Sequence, residues 1–372
     1  MNQPAVWNVA VAGAGPAGCA TAIALARLGV DDVCLLDLAP APHSPRLGET
    51  IPPEARLVLN ELGIWDRFIE QRHQSCLGSC SAWGGEELGY NDFLFNPNGE
   101  GWHLNRKRFE SLLLNEAMSR GATRITVSGL QDIASDANGG FTLAATRLDG
   151  TACPIVAQHI VDATGNRSVL ARRAGARHLM HDRLTFIYGF FDTSDAAAEH
   201  RLTLVEAEEL GWWYAASLPD RTLAVAFASD PDIVREHGFA HRPSWLARLL
   251  QRTHLARRVE GCSLRPGGLT VRIAPSRRLD RFGGAGWLAV GDAAASCDPI
   301  SSQGIMNALR DGLLAAEAIA ETLATGQNKT AGYTDYLTER FSEYLVNRNY
   351  FYALEQRWSQ SPFWRRRVNR PL

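Results

Sequence analysis

Three glycines near the start of the chain have the spacing of a turn that cradles a dinucleotide. Gly13, Gly15 and Gly18 follow the buried-strand pattern of residues 9–12 and precede an Ala-rich helical pattern. Gly13 permits a tight turn, Gly15 lets the backbone approach a pyrophosphate, and Gly18 lets helix and strand pack closely. The spacing therefore predicts a pyrophosphate site at the start of a helix.

The residues around this turn narrow the choice of ligand. Pro16 and Ala17 open the helix, and Pro16 suits a first helical position because its missing N–H would have no partner there. Asp37 ends the second strand about twenty residues after the first glycine, where a carboxylate accepts hydrogen bonds from both ribose hydroxyls. A 2′-phosphate would be repelled there, so the pattern favours FAD or NAD over NADP.

A second strand-to-helix segment lies about 275 residues later. Gly291 and Asp292 follow the buried-strand pattern of residues 287–290, and residues 298–305 lead into a predicted helix over 304–325. A carboxylate at the strand end can accept a hydrogen bond from a ribityl hydroxyl. Free N–H groups at the helix start can face an electron-rich ring edge. The two segments together predict a flavin, and hence FAD.

Four residues are candidates for catalysis. Glu49 lies in the loop after Asp37, and His103 lies on a strand before Arg106, where it could accept a proton from a ring undergoing hydroxylation. Trp212 and Trp213 occupy adjacent strand positions and must face opposite ways, so at most one can line a cavity. A packed histidine and core tryptophans are the structural alternatives.

Composition excludes several classes of protein. The 372 residues are 45% hydrophobic and carry a formal net charge of −2, which gives no reason to expect a nucleic-acid partner. We see neither a signal-peptide pattern nor an apolar run long enough for a membrane span, so we expect a cytoplasmic protein. Cys76 and Cys80 form a CxxxC without a second pair or nearby histidines, and we expect no metal site.

Hydrophobic periodicity separates two kinds of layer. Buried strands alternate with helices in the first part of the chain, as in a parallel α/β sheet, whereas residues 184–228 carry alternating aromatic-rich segments typical of an antiparallel sheet. Residues 57–69 and 106–120 predict helices, with Asn105 capping the second. Residues 75–102 predict an irregular covering loop.

These patterns predict an α/β fold with an FAD-binding Rossmann-like domain of the glutathione-reductase type, an inserted antiparallel β-sheet substrate domain and a helical C-terminus. We expect the FAD-binding domain to comprise residues 1–80, 101–183 and 276–330. The substrate domain takes residues 81–100 and 184–275, and residues 331–372 form the C-terminal helical segment.

The order of these motifs resembles the FAD-dependent aromatic hydroxylase superfamily, which includes flavin-dependent halogenases. The resemblance rests on the glycine turn, residues 46–50, Arg106 with Phe109, residues 162–165 with Ser168, and the Gly291 segment. It implies a flavin ring held between the two domains. The cofactor-binding set it implies is Gly13, Gly15, Pro16, Ala17, Gly18, Asp37, Arg46, Glu49, Arg106, Asp162, Gly291, Asp292, Ser302, Gln303, Gly304 and Ile305.

Halogenation is disfavoured within that superfamily. Residues 211–219 are similar to the tryptophan-rich signature of halogenases but differ in spacing, and halogenases need a lysine ammonium beside the flavin ring. The two lysines of this chain, Lys107 and Lys329, do not follow the loop of residues 48–50, where that lysine belongs.

A closer resemblance is to the flavoproteins that mature tryptophylquinone cofactors. It rests on residues 48–53, 101–104, 212–214 and 301–305 and on an aromatic, Arg-rich tail. It implies an FAD-dependent monooxygenase that uses molecular oxygen and a flavin C4a-hydroperoxide to hydroxylate a tryptophan-like side chain on a partner polypeptide. Electrons would come from NAD(P)H or an external reductase, and the sequence does not separate these donors.

Two other functions stay open. The chain could oxygenate or halogenate a free small aromatic compound in secondary metabolism, or it could be a non-oxygenating FAD-dependent reductase or electron-transfer flavoprotein. The tail of residues 344–372 carries seven aromatic residues and three consecutive arginines. Its aromatic residues either pack on the body of the protein or form a docking surface for a protein partner.

Overall fold

The computed structural model describes residues 6–38, 50–135, 139–193 and 200–368. In this part of the chain, one eight-stranded sheet is mixed and contains most of the parallel strand pairs. Its strands are β1 (Val6–Ala12), β2 (Val33–Leu38), β8 (Thr123–Val127), β9 (Gly129–Ser135), β10 (Phe141–Thr146), β11 (Ala152–Asp162), β20 (Gly283–Gly284) and β21 (Trp287–Ala289).

The parallel strands of this first sheet lie in the order β21-β11-β1-β2-β8. Residues 9–12 of β1 are fully buried, as expected for a central strand covered on both faces. The long strand β11 pairs with β10 in antiparallel fashion along its first half and lies parallel to β1 along most of its length. The carboxyl ends of β1, β2, β11 and β21 therefore share one edge of the sheet.

A second eight-stranded sheet is mainly antiparallel, in the order β17-β13-β16-β15-β14-β5-β6, with β18 also paired to β13. Its strands are β5 (Gly78–Ala82), β6 (Gly89–Asp92), β13 (Thr185–Asp192), β14 (Leu202–Glu208), β15 (Gly211–Leu218), β16 (Thr222–Ser229), β17 (Ser263–Leu264) and β18 (Thr270–Ile273).

The prediction of an irregular loop over residues 75–102 is wrong. Strand β5 runs parallel to β14, and β6 pairs with β5. Gly, Ser and Cys dominate β5, so its sequence lacks the β-branched and aromatic residues that indicate a strand. Pairing with a neighbouring strand determines its conformation.

Two small three-stranded sheets connect the larger layers. The first has the order β3-β7-β4 and the second the order β12-β19-β22. Their strands are β3 (Thr50–Ile51), β4 (Gln74–Cys76), β7 (Gly101–His103), β12 (His178–Met180), β19 (Arg277–Leu279) and β22 (Ala295–Ser296).

The helices occupy the faces of these sheets and the C-terminal region. They are α1 (Pro16–Arg27), α2 (Ala55–Glu61), α3 (Trp65–Glu70), α4 (Arg106–Ser119), α5 (Val169–Arg173), α6 (Pro231–Glu236), α7 (Arg242–Leu249), α8 (Thr253–Arg258), α9 (Gly304–Thr325), α10 (Ala331–Leu354) and α11 (Pro362–Val368).

Two helix predictions illustrate how local signals work. The Asn105 side chain accepts a hydrogen bond from the backbone N–H of Arg108 at 3.0 Å, so α4 begins where the cap predicts. The single helix predicted over 57–69 is instead two helices, because Gly63 adopts a φ of +67° between α2 and α3. That conformation favours glycine and ends a helix.

The buried apolar residues form two large clusters. One lies between the first sheet and the helices α1, α4 and α9, and the other between the second sheet and the helices α7, α8 and α11. This arrangement is the α/β fold with a separate antiparallel sheet and a helical C-terminal region that the sequence predicts. The exact domain boundaries stay a prediction. Within the described residues, no helix has the length and apolar character needed to cross a membrane.

Candidate functional site

The glycines of the first turn occupy three different environments. A Cβ on Gly13 would lie 2.2 Å from the carbonyl oxygen of Ala163, and one on Gly18 would lie 1.8 Å from that of Gly13. A Cβ on Gly15 would meet no atom within 4 Å. Gly13 and Gly18 thus allow close packing of backbone, whereas Gly15 faces open space.

The N-terminus of α1 opens onto that space. Gly15 is its N-cap residue, no side chain among the described residues caps its first amides, and Pro16 occupies the first turn. Ala17 is buried beside it. Unpaired amides at a helix start attract an anion, so the geometry suits a pyrophosphate.

Asp37 is the penultimate residue of β2 and lies at the same edge of the sheet. Arg124 on β8 donates to its Oδ2 at 3.0 Å through Nε, and the structure shows no contact to Oδ1 from the described residues. Arg124 therefore holds Oδ2 and fixes the orientation of the carboxylate. In this orientation Oδ1 could accept a hydrogen bond from a ribose hydroxyl.

Asp162 ends β11, and its carboxylate shapes the loop that follows. Oδ1 accepts from the backbone and hydroxyl of Thr164 at 2.9 and 2.6 Å, and Oδ2 accepts from Ala171 N at 2.8 Å. Both oxygens are therefore used within the loop. The geometry makes Asp162 a residue that positions the loop next to Gly13, rather than a direct contact to a ligand.

The turn after β21 packs against the start of α1. A Cβ on Gly291, whose φ is +58°, would lie 2.9 Å from the Cβ of Ala17. The neighbouring Asp292 side chain is exposed, yet desolvation raises the pKa of its carboxyl while the guanidinium groups of Arg277 and Arg106 oppose that rise. Asp292 therefore faces a recess that protein surrounds.

Asp292 and Arg106 are thus brought together from opposite halves of the chain. Arg106 begins α4, and its guanidinium also donates to Glu110 at 2.6 Å. Sequence reasoning missed Arg277, a buried residue on β19 that donates to the carbonyl oxygen and side chain of Asn166. No local motif marks Arg277, because its neighbours in the site come from distant segments.

The start of α9 is the second open helix end of the site. No side chain caps it, Gln303 and Gly304 are exposed, and a Cβ on Gly304 would meet nothing within 4 Å. Ser302 adopts a φ of +51° and directs the chain into the helix, and Ile305 packs into the core. The amides at this helix start therefore face open space.

Helices α1 and α9 cross closely, which fixes the two open ends relative to each other. A Cβ on Gly312 would lie 2.6 Å from the carbonyl oxygen of Ala17 and 2.8 Å from the amide of Thr21. The two uncapped N-termini and the carboxylates of Asp37 and Asp292 fit the phosphate, ring and hydroxyl groups of FAD in chemical type.

Two predicted site residues, Arg46 and Glu49, lie outside the described residues. The second acid–base candidate, His103, lies on β7 and is fully buried. Its Nε2 is 3.2 Å from the hydroxyl of Thr203, and burial lowers the pKa of His103 to about 4. This enclosed imidazole joins the small sheet to β14, and its role in acid–base catalysis stays a prediction.

Both indoles of the Trp212–Trp213 pair are buried, so neither lines an open cavity. Trp213 packs with its ring centroid 4.7 Å from Phe227. Trp212 faces the other side of the sheet and donates from Nε1 to the hydroxyl of Tyr352 at 3.0 Å. The alternation predicted for adjacent strand positions is present, but direct contact of either indole with a substrate is not what the structure shows.

Tyr214 is the residue of this strand that contacts the small strand β3. It lies two positions after Trp212 on the same face, is half-buried, and its hydroxyl is 2.9 Å from that of Thr50, the residue after Glu49. Ala216 and Ala224 form a small apolar cluster, against which Tyr214 and Phe190 pack. This cluster is separate from both large cores.

A buried polar network joins helix α10 to the segment before α9. The Tyr352 hydroxyl donates to Asp298 Oδ2 at 2.7 Å, and the Asp298 N–H donates to the hydroxyl of Tyr344 at 2.7 Å. Asp298 Oδ1 accepts from Ile300 N at 3.1 Å. Arg348 pairs with Asp182 beside them. Burial raises the pKa of the Asp298 carboxyl.

Cysteine and metal chemistry find no support in the described residues. Cys76 and Cys80 are buried free thiols whose pKa is raised by burial, and the pKa of Cys297 is raised to about 12. Low-pKa thiols are the reactive ones. No group of three or more His, Cys, Asp or Glu residues suited to a metal ion occurs in the part of the chain that the structure describes.

Comparison with known proteins identifies a family. A model described as "FAD binding domain" matches residues 7–343. The putative FAD-dependent oxidoreductase LodB of Marinomonas mediterranea is 28% identical over 370 residues, which covers 97% of this chain and 96% of LodB. The flavin-dependent halogenase gsfI of Penicillium aethiopicum is 27% identical over 354 residues, or 86% of this chain and 65% of that protein.

A solved structure shows the same fold. The myxobacterial chondrochloren halogenase CndH is 23% identical to this chain, and its structure matches with a TM-score of 0.86. The match covers 98% of this chain and 86% of the halogenase. At that identity the likeness concerns the fold alone.

Proposed function

Because the chain belongs to the family of proteins with this FAD-binding domain and is an FAD-dependent oxidoreductase, we propose that it is a monooxygenase of a tryptophan-like side chain on a partner polypeptide. The aromatic ring would enter the recess between the open helix ends and the face of the second sheet that carries Tyr214. Molecular oxygen is the second substrate, and NAD(P)H or an external reductase supplies the electrons.

The observation that carries the proposal is the contact between Tyr214 and Thr50 at 2.9 Å. Through it, the face of the second sheet reaches strand β3, which begins directly after Glu49. In the antiparallel register Tyr214 lies opposite Ala226, and Ala226 lies opposite Tyr188, so the three side chains share this face. Aromatic side chains next to alanines leave room for a flat ring and offer it stacking partners.

The chain's own residues bind, orient and exclude water in this proposal. The amides at Gly15 and at residues 303–305 would bind the cofactor, and Asp292 would accept a hydrogen bond from its polyol chain. Reduced FAD supplies the activation of oxygen and the transfer of one oxygen atom. The turn at Asp220 closes one side, because Asn105 and Arg108 at the start of α4 donate to its carboxylate at 2.8 Å.

Hydroxylation is favoured over halogenation by the position of the two lysines. Lys107 is exposed on α4 and Lys329 is exposed in the loop between α9 and α10. Neither ammonium is part of the face that carries Tyr214. The choice of a polypeptide substrate is supported by the resemblance to tryptophylquinone maturases, whereas the match to LodB along nearly its whole length supports an FAD-dependent oxidoreductase.

The test uses the FAD-loaded protein with its electron donor, oxygen and a set of tryptophan-containing polypeptides. We expect a mass gain of one or more oxygen atoms on a tryptophan of a polypeptide, and no such gain without reduced FAD. Tyr214→Phe keeps the ring but removes the contact to Thr50, and Tyr350→Phe on exposed α10 is the matched control. We expect the first variant alone to slow oxygenation, by about tenfold.

Three results would contradict the proposal. Rapid oxygenation of free tryptophan or a phenol, with every polypeptide untouched, would show a small-molecule monooxygenase. Halide incorporation would show a halogenase. Oxidation of the reduced flavin by a quinone, without oxygen transfer, would show a reductase.

A further inference from the structure

Two surface segments beside the site are strongly basic. Residues 167–178 and 277–281 together contain seven arginines and one carboxylate, Asp280, in a chain with 38 basic and 40 acidic residues. We call the side chains that are not fully buried the basic patch. They are Arg167, Arg172, Arg173, Arg177, Arg278 and Arg281.

The fold brings the two segments into contact. Strands β12 and β19 pair in antiparallel fashion, with His178 opposite Leu279. Asp280 N donates to the Arg177 carbonyl at 2.9 Å, and the Arg281 guanidinium donates to the carbonyl of Ala174 at 2.5 Å. The basic patch is therefore one continuous surface made from segments about 100 residues apart.

The charge of this surface is not neutralised locally. Across the described ranges, none of the six arginines has a carboxylate oxygen within 4 Å, although exposed arginines elsewhere, such as Arg108 and Arg265, do. The Asp280 carboxylate accepts from the backbone N–H of Arg177 at 2.8 Å. Burial, together with the charges of Arg277 and Arg172, lowers the pKa of His178 to about 4, as expected in a positive potential.

His178, the residue after Arg177 of the basic patch, connects the patch to the candidate site. His178 Nε2 is 3.1 Å from the hydroxyl of Ser168, which donates to the carbonyl of Ala293 at 2.7 Å. Ala293 follows Asp292 in the turn after β21. A molecule bound on the basic patch would therefore lie at the rim of the recess.

The guanidinium groups diverge. Arg281 lies over the ring of Trp287, Arg278 lies over that of Phe282, and Arg173 donates to the carbonyl of Leu130. Binding of one phosphate requires several donors that converge on one point. Separate guanidinium groups spread over a surface match an extended array of carboxylates instead.

We propose that the basic patch is the docking surface for an acidic face of the partner polypeptide. Its potential speeds encounter and places that polypeptide beside the recess. The inference rests on the proposed function for the identity of the partner, but the binding it describes is measured without turnover.

The test measures binding of fluorescently labelled poly-L-glutamate to the FAD-loaded full chain, by anisotropy. The variant R172E/R177E reverses two exposed charges of the basic patch, and R235E/R257E reverses two exposed charges on α6 and α8 as the matched control. R172Q/R177Q repeats the experiment without charge reversal, in case the first variant does not fold. The FAD spectrum and thermal unfolding establish folding of each protein.

We expect R172E/R177E to bind at least about tenfold more weakly and the control to change by less than about twofold. Binding of the wild type should weaken as salt rises from about 20 mM to about 300 mM. Three results would overturn the proposal. They are absence of binding, equal losses of affinity in both variants, and displacement of the polymer by NADPH at a concentration equal to that of the polymer's glutamate residues. Binding that follows the prediction without oxygenation of any polypeptide would overturn the proposed function alone.

Discussion

At the scale of single residues, two glycines of the first turn have different roles: Gly18 allows close packing, and Gly15 leaves space for a ligand. The backbone φ of Gly15 is −81°, which any residue adopts, and its missing side chain faces open space. Gly15→Val should therefore leave the apoprotein stable, with a Tm within about 2 °C of the wild type. The new side chain would occupy the pyrophosphate position, so we expect the Kd for FAD to rise at least about tenfold, measured by flavin fluorescence titration.

Gly18→Ala is the matched substitution for that experiment. Its Cβ would lie 1.8 Å from the Gly13 carbonyl, so backbone must shift. We expect the Tm of the apoprotein to fall by more than about 5 °C. Equal effects of the two substitutions on stability would contradict the division of roles.

A second residue-scale prediction concerns acid stability. The pKa of buried His103 is about 4, below its usual 6.5, because burial disfavours the charged imidazole. Below about pH 6.5 the unfolded chain takes up a proton that folded His103 does not, so stability falls as the pH drops toward 4, by up to about 3 kcal/mol. Urea unfolding from pH 7 to pH 4.5 measures this slope.

His103→Gln should reduce that slope, whatever its effect on stability at pH 7. The exposed His241→Gln serves as the control. His73, whose pKa burial also lowers to about 4, keeps part of the slope in both variants. An unchanged slope in His103→Gln would show that His103 does not contribute.

At the scale of elements, helix α10 supports the segment that precedes α9. The Tyr352 hydroxyl receives a hydrogen bond from Trp212 and donates one to Asp298. Tyr352→Phe leaves the indole N–H and the carboxylate short of a buried partner, so we expect a loss of about 1–3 kcal/mol in the free energy of unfolding. Because Asp298 positions the start of α9, FAD affinity should fall as well.

The control is Tyr350→Phe, since the Tyr350 side chain is 61% exposed and faces away from the network. Chemical unfolding and FAD titration of both variants provide the comparison. If Tyr352→Phe lowers stability without weakening FAD, the network holds α10 but does not position α9.

Elements also show what sequence reasoning can and cannot reach. Helix α4 and strands β13 to β16 follow from a cap and from alternation, which are local signals. Strand β5 and the Tyr352–Asp298 contact depend on partners more than 50 residues away. The glycine spacing thus predicted the first turn, whereas Arg277 and Tyr214 acquire their positions only when distant segments meet.

At the scale of the whole molecule, ligand binding should stabilise the chain by mass action. FAD at about 100 times its Kd should add about 2.7 kcal/mol to the free energy of unfolding, since the open helix ends exist only in the folded state. Thermal unfolding with increasing FAD measures this effect. Gly15→Val should lose most of the gain at the same FAD concentration, and a gain equal to that of the wild type would place the cofactor elsewhere.

The crossing of α1 over α9 at Gly312 has one more consequence. Because the two helices pack closely against each other, the distance between their open ends is fixed. That distance sets the length of the group that can bridge them. FMN carries the ring and one phosphate, which match both open ends, but it lacks the adenosine whose ribose Asp37 would bind. The protein should therefore bind the mononucleotide more weakly than the dinucleotide, even though both flavins carry the same ring.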